Sequence, residues 1–328
     1  MNYKVFFILL LNFSPVIFAQ KTSPVNLVHT YSIIAVDSVT GEIGAAVQSH
    51  WFSVGSLVIW AEAGVGAIAT QSFVNPSYGP RGLELMRSGL SPQQTLDMLL
   101  EEDEGREFRQ AAFIDTKGNS VAFTGEKCIA AAGHLSGQYY SVQANLMLND
   151  SVWPAMEIAF KKTKGSLAER LVASLEAAQN SGGDIRGKQS AALLVVKGKS
   201  SGKIWEERLI DLRVEDNPNP VKEIKRLLTV HQAYQHMNAG DLAVEKGDEV
   251  GALREYGTAE SMQPDNLEMK YWHAVALANM GKIEEALPIF KFIFLKDANW
   301  KILTPRLVKP GLLKVSENEM QQILGQTN

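Results

Sequence analysis

Apolar residues follow two rhythms along this chain. Over the first two thirds, short apolar runs alternate with stretches of helical spacing. Residues 31–36 and 43–47 are compact runs with Gly41 in the turn between them, and residues 57–61 and 65–69 form a second pair around Ala63-Gly64. Runs of this length bounded by glycine read as strands. Residues 79–88 then set Leu83, Leu85 and Met86 on one side of a helix. Ser91-Pro92-Gln93-Gln94 reads as a second helix start, with a serine cap, proline at the first position and glutamine three residues after the cap. Strand patterns return at 110–114 and 120–123 across the hairpin joint Asp115-Thr116-Lys117-Gly118-Asn119, and again at 139–146. Two more helices follow. The second opens on a Ser166/Glu169 capping box, keeps Leu167, Leu171, Leu175 and Ala178 on one face, and stops at Gly182-Gly183. Strands at 191–196 and 205–212 complete the pattern. Separated groups of strands and helices predict an α+β fold, with two antiparallel sheets sandwiched between helix layers.

The rhythm changes at Asp216-Asn217-Pro218-Asn219-Pro220, a composition suited to a linker, and the rest reads as helix. Gly247 and Gly281 lie 34 positions apart, as do Ala252 and Ala286, and Tyr256 and Phe290 repeat at the same interval. Residues 238–266 and 272–299 therefore resemble two tetratricopeptide repeats, with helices at 220–236 and 315–325 covering the ends. The chain divides into residues 1–20, 29–214 and 215–328. The third segment is expected to be an all-α tetratricopeptide-like domain that serves as a platform for a protein partner and supplies no catalytic group.

Residues 1–20 read as a secretory signal peptide. Lys4 precedes the apolar residues 5–11, the run resumes at 13–18 around Ser14-Pro15, and Ala19 offers a small residue for cleavage. The stretch is short for a membrane span and no lipobox cysteine follows it. The expected product is secreted or periplasmic, begins near Gln20 or Lys21, and keeps no stable membrane span; a retained anchor is the other reading. With 45% apolar and 21% charged residues the chain has an ordinary globular composition, and a net charge of −4 implies no broad basic face for nucleic acid. Cys128 is the single cysteine, which excludes an internal disulfide and favours a buried thiol.

The chemistry centres on Thr30. A strand headed by threonine can supply a nucleophile whose own freed α-amine is the base, since that amine titrates near 8. The other reading is a β-favouring residue at a strand edge. Several segments stand out together: Thr30-Tyr31-Ser32-Ile33, Gly64-Val65-Gly66-Ala67 with Thr70-Gln71, Arg109-Gln110 with Asp115 and Gly118, Thr124-Gly125 with Cys128, and Gln143-Ala144-Asn145. The most specific is the run from Gly182 through Asp184, Arg186 and Gly187 to Ala192. Together these resemble the bacterial domain-of-unknown-function family 1028, and the resemblance covers about residues 29–214. It implies a four-layer αββα sandwich of the N-terminal nucleophile (Ntn) hydrolase superfamily, without a settled substrate.

The chain departs from the family pattern in two ways. Cytoplasmic members carry the threonine directly after the initiator methionine, whereas here a cut between His29 and Thr30 is needed. Ala144 also stands where members tend to have glycine.

The expected catalytic set is Thr30, with Asn145 and Gln71 as oxyanion donors; either amide could instead close a strand end. Arg109, Asp184 and Arg186 are the expected substrate-binding residues. The competing readings are an Asp184–Arg186 bridge that holds a loop, and a buried pair of Arg109 with Asp115 or Asp37. His50, His134, Cys128 and Asp184 match no tight metal spacing, so no metal is assigned. No phosphate loop and no nucleophile elbow are present. The proposed chemistry requires no cofactor. Two functions are carried forward. One is an exported amidohydrolase acting on a small amide or peptide-like substrate. The other is a non-catalytic ligand-binding sandwich joined to an envelope complex through its helices. Homo-oligomers through the helix layers fit both.

Overall fold

The computed structural model describes residues 26–327, so the leader and the expected start near Gln20 or Lys21 lie outside the described residues. Eleven strands and eleven α-helices are described. The first sheet contains β1 (Asn26–Val28), β4 (Ile59–Glu62), β5 (Gly66–Val74), β6 (Arg109–Asp115) and β7 (Ser120–Thr124), in the order β1-β5-β6-β7 with β4 also on β5. The second runs β11 (Arg208–Val214), β10 (Ser190–Val196), β3 (Ile43–Ser49), β2 (Thr30–Val36), β9 (Tyr140–Ala144), β8 (Gly133–Gly137). Every pairing is antiparallel.

The period-2 alternation of the strands sorts their side chains into layers. Ile34 and Val36 on β2, Ala45 and Val47 on β3, and Ala192 and Leu194 on β10 meet Ala67, Ala69, Ala112 and Ile114 of the first sheet. Their alternates Tyr31, Ile33, Ala46, Val142 and Leu193 pack outward on α3 (Val152–Lys162) and α4 (Leu167–Asn180). On the far side Ile68, Ala111 and Phe113 pack on α1 (Tyr78–Arg87) and α2 (Pro92–Glu101) through Leu83, Met86, Leu96 and Leu99. The protein is thus mixed α+β, with two facing antiparallel sheets and a helix pair on each outer surface. Ser91 with Gln94 and Ser166 with Glu169 form complete capping boxes at the starts of α2 and α4.

Two expected strands begin later than the sequence pattern places them. Residues 204–207 form a helical turn, α5 (Ile204–Glu207), and β11 begins only at Arg208. The cause is the buried Glu207 carboxylate, which accepts from the Ser200 hydroxyl and from the Ser201 and Gly202 amides and so curls the loop. Ile204 and Trp205 consequently stand 80% and 79% exposed. Leu57, expected in a strand, lies at the end of a short 3-10 turn over Val54–Ser56.

The expected linker at 215–219 is a short run of bends. It delivers the chain into α6 (Pro220–Glu245), a single helix of 26 residues with proline in its first turn. Its first half sends Val221, Ile224 and Leu228 into the core shared with α3 and α4. Its second half gives Ala233 and Met237 to a cluster with Tyr256. Then follow α7 (Glu249–Met262), α8 (Leu267–Asn279), α9 (Ile283–Lys296), α10 (Asn299–Leu303) and α11 (Glu317–Leu324). Gly247 and Gly281 turn the chain ahead of α7 and α9 at φ +72° and +73°, where a side chain would be strained. Ala252 and Ala286 are both fully buried, one period apart. Among the described residues no helix is long and apolar enough to cross a membrane.

Because α6 belongs to both cores, loss of its contact with the sheets should be felt by the sandwich. Ile224→Ala, at a fully buried position, should destabilise by about 2–5 kcal/mol, read as a lower denaturant midpoint when unfolding is followed by tryptophan fluorescence.

Candidate functional site

At one end of the facing sheets the inward positions turn from apolar to polar. Thr30 and Ser32 precede Ile34 on β2, Gln71 follows Ala69 on β5, Gln110 precedes Ala112 on β6, and Ser141 and Gln143 lie on β9 with Asn145 just beyond. All seven are completely buried. Buried amides are tolerable only when their hydrogen bonds are made, and here they are made to one another. Gln143 Nε2 donates to Ser32 Oγ (2.6 Å), and Ser32 Oγ donates to Gln71 Oε1 (2.6 Å). Gln110 Oε1 accepts from Gln71 Nε2 (2.7 Å) and from Asn145 Nδ2 (2.9 Å). The Thr30 carbonyl accepts from Gln71 Nε2 (3.1 Å), from the Asn145 backbone N–H (3.1 Å) and, more weakly, from Asn145 Nδ2 (3.4 Å). Gln110 Nε2 returns to the Ala144 carbonyl (2.9 Å).

The chain enters this cluster by changing sheets. β1 pairs with β5 in the first sheet, with Val28 opposite Ser72, while Thr30 opens β2 in the second, opposite Ser49. His29 makes the crossing. Its carbonyl oxygen accepts from Ser49 Oγ (2.5 Å) and from Arg186 Nη2 (2.7 Å). Its imidazole Nδ1 lies 2.8 Å from Asn145 Oδ1, and its ring stands edge-on to Phe73 at 5.8 Å. An amide oxygen accepts, so the imidazole donates. Burial pushes the His29 pKa down, outweighing the bond to Asn145, with Arg186 adding to the depression. The Thr30 hydroxyl donates to the Val28 carbonyl (2.9 Å).

Arg186 is itself held. Asp184, buried, accepts from Arg186 Nε (3.0 Å) and Nη2 (2.7 Å), from the Arg186 amide and from the His50 amide. Gly183 at φ +62° makes the turn that brings Asp184 beneath the cluster. The two-pronged bond fixes the guanidinium plane while one prong still reaches the His29 carbonyl.

Thr30, Gln71, Asn145, Asp184 and Arg186 are therefore brought together from four separate segments. Gln71 and Asn145 grip the carbonyl of Thr30 itself, not the one that precedes it. The donors on the preceding carbonyl are Arg186 and Ser49. Arg109 lies at the rim and is engaged elsewhere: its partner is Asp103 (2.8 Å), neither Asp115 nor Asp37, and it also donates to the Phe73 carbonyl. Burial acts to raise the Asp103 pKa, but the Arg109 guanidinium and the Gly105 amide outweigh it and hold the carboxyl low. Asp37 instead meets Arg170, and Asp115 caps its own hairpin through the Lys117 and Asn119 amides. Cys128 is partly buried with its thiol on the Arg109 carbonyl (3.3 Å), and burial pushes its pKa up. Among the described residues no group of three or more His, Cys, Asp or Glu side chains is placed to hold a metal. The sequence reading missed Ser32, Gln110, Gln143, Ser49 and His29 as members of the site. The available signal was the appearance of polar residues in phase with apolar inward positions at strand ends.

A family model described as a family of unknown function (DUF1028) matches residues 30–224, and the chain belongs to that family. A crystal structure of a Silicibacter pomeroyi protein assigned to the same family is 30% identical at a TM-score of 0.56, the match covering 66% of this chain and 92% of that one. An ancestral β-subunit protein (Anbu) from Yersinia bercovieri matches at 11% identity and a TM-score of 0.31, over 60% of this chain and 92% of that one. Among curated proteins no match is found.

Gln71→Leu removes every hydrogen bond of that side chain and leaves the Ser32 hydroxyl, the Gln110 side-chain oxygen and the Thr30 and Gln143 carbonyls each short of one. Each buried group so stranded costs about 1–3 kcal/mol, so the variant should unfold at clearly lower denaturant while Gln93→Leu, on the exposed face of α2, should not. The His29 pKa is lowered on docking from its ordinary 6.5. Below that pH the undocked imidazole takes up a proton that the docked one refuses, so docking of residues 26–29 weakens as pH falls. Cleavage of this segment by an added protease should accelerate as pH drops through about 6.5 and lose that dependence in His29→Asn.

Proposed function

We propose that this protein is an exported amide hydrolase of the N-terminal nucleophile type, active after the chain is cut between His29 and Thr30. The carrying observation is the convergence on that one peptide bond. Its carbonyl oxygen sits between a hydroxyl and a guanidinium, and the residue that follows is a threonine at the head of a central strand. These donors occupy the place where an acyl oxygen would gather charge during attack, the arrangement that lowers such barriers most. The family match also begins at Thr30, leaving β1 ahead of it. On this reading the two sheets with their outer helices are an αββα sandwich of the Ntn-hydrolase kind, and α6 to α9 are tetratricopeptide-like repeats that carry a protein partner.

The reaction balances on the chain's own groups. The free amine of Thr30 takes the proton from its hydroxyl, and Oγ1 bonds to the substrate carbonyl carbon. The oxyanion is held by Ser49 and Arg186. Collapse breaks the C–N bond, and the ammonium returns the proton to the leaving amine. Water then attacks the ester, releases a carboxylic acid and restores the hydroxyl. Gln71 and Asn145 keep the Thr30 backbone in place, and Asp184 holds Arg186 in plane.

A second reading has support of its own. In the uncut chain Thr30 is fully buried and its hydroxyl is spent on the Val28 carbonyl, as suits a non-catalytic module. The terminus of the exported protein decides. The hydrolase reading expects Thr30 as the first residue by N-terminal sequencing, and hydrolysis of members of an amide library that falls by at least ~10³-fold in Thr30→Ala. Arg186→Ala should retain the threonine terminus in part and lose about 10²–10³ in kcat. A uniform terminus near Lys21 in an active preparation, or unchanged hydrolysis by Thr30→Ala, would overturn it.

A further inference from the structure

Building on that hydrolase reading, we infer that the substrate is an extended peptide, and that residues 26–29 show how it is bound. The β5 strand has one edge fully paired by β6 from Gly66 to Ser72. Its other edge is shared: β4 covers Gly66 to Ala69, and β1 covers Ser72 to Val74. Among the described residues β1 spans three residues and pairs only with β5, and it lies outside the family match. Once the bond after His29 is cut and the segment leaves, the β5 edge from Ser72 to Val74 is bare. A bare strand edge is a row of unsatisfied N–H and C=O groups, and it recruits another extended chain.

The segment that fills this edge in the uncut chain reads out the rest of the groove. Backbone pairing sets Leu27 opposite Phe73 and Val28 opposite Ser72. The Val28 side chain is wholly buried and belongs to the apolar cluster between the two sheets, so its position takes a branched apolar residue. The next residue, His29, places its ring against Phe73 and donates to Asn145 Oδ1, a seat for a ring that carries an N–H. Its carbonyl then reaches Ser49 and Arg186. A peptide laid along β5 in the same direction therefore delivers the carbonyl of the residue that follows its three paired positions to the two donors beside Thr30. Ser72, at the inner end of the groove, holds φ +72°, a strained value for a residue with a side chain and of the kind kept at binding sites. The substrate's acyl side is thus an extended stretch ending in a branched apolar residue and then an imidazole, and residues 26–29 are its tethered stand-in.

The test uses a fluorescent peptide of sequence Asn-Leu-Val-His, amidated at its C-terminus, and the full chain. In Val28→Asp a buried charge should expel β1 and open the groove. Leu27→Pro, which removes a strand donor, serves the same end if circular dichroism shows that the first variant has not folded. The opened chain should bind the peptide at least about tenfold more tightly than the uncut wild-type chain. Peptides N-methylated at the three paired positions should bind about tenfold more weakly than the parent, because the affinity comes from strand hydrogen bonds. A folded, opened chain that ignores the peptide, or one that binds the methylated peptides equally well, overturns the groove. The two ideas fail separately. A Thr30-ended protein that binds the peptide but cleaves no amide leaves the groove and removes the hydrolase. One that cleaves small acyl amides but neither binds nor cleaves peptides bearing Val-His leaves the hydrolase and removes the groove.

Discussion

The structure turns on a knot of side-chain amides closed between two sheets. Apolar packing joins the sheets over most of their area, but it does not specify how one end should be set against the other. Gln71 and Gln110 from one sheet and Ser32, Gln143 and Asn145 from the other do so, because each must find its partners or bear the full cost of lost water. A one-residue slip of any of these strands would turn its polar groups outward and its apolar groups inward. The requirement therefore locks register across both sheets at once. It also fixes the Thr30 carbonyl, and through it the direction in which the chain arrives from His29.

Everything at the site inherits that constraint. Asp184 is carried by a separate loop, yet it meets the same point because β10 and β3 are in register from Ser190–Ser49 onward and the turn at Gly183 leads directly into it. Arg186 then completes an arrangement assembled from residues more than a hundred positions apart in the chain.

Much of the architecture was legible. The strand runs at 31–36, 43–47, 110–114 and 191–196 and the capping boxes at Ser91 and Ser166 correspond to elements present, because they depend on neighbours within a few residues. What failed depended on something further away. β8 is a run of Gly133, His134, Leu135, Ser136 and Gly137 with no apolar alternation, made a strand by β9 beside it. β1 is invisible without the free edge of β5. Trp205 reads as a strand residue until the carboxylate of Glu207 bends the loop ahead of it. At the site the residue types were legible and the partnerships were not. Arg109 found Asp103, six residues upstream, before either acid that the strand pattern offered. Ser49 escaped as a donor because only the crossing at His29 gives its hydroxyl an acceptor.

One further consequence lies in α6. A helix of 26 residues is roughly 40 Å long, and this one is embedded at its start in the sandwich and at its end in the helical hairpins. It therefore acts as a strut, not a tether. The C-terminal helices are held against the rest of the molecule at one fixed bearing and reach, and a bend or an inserted residue midway along α6 would swing them around its axis.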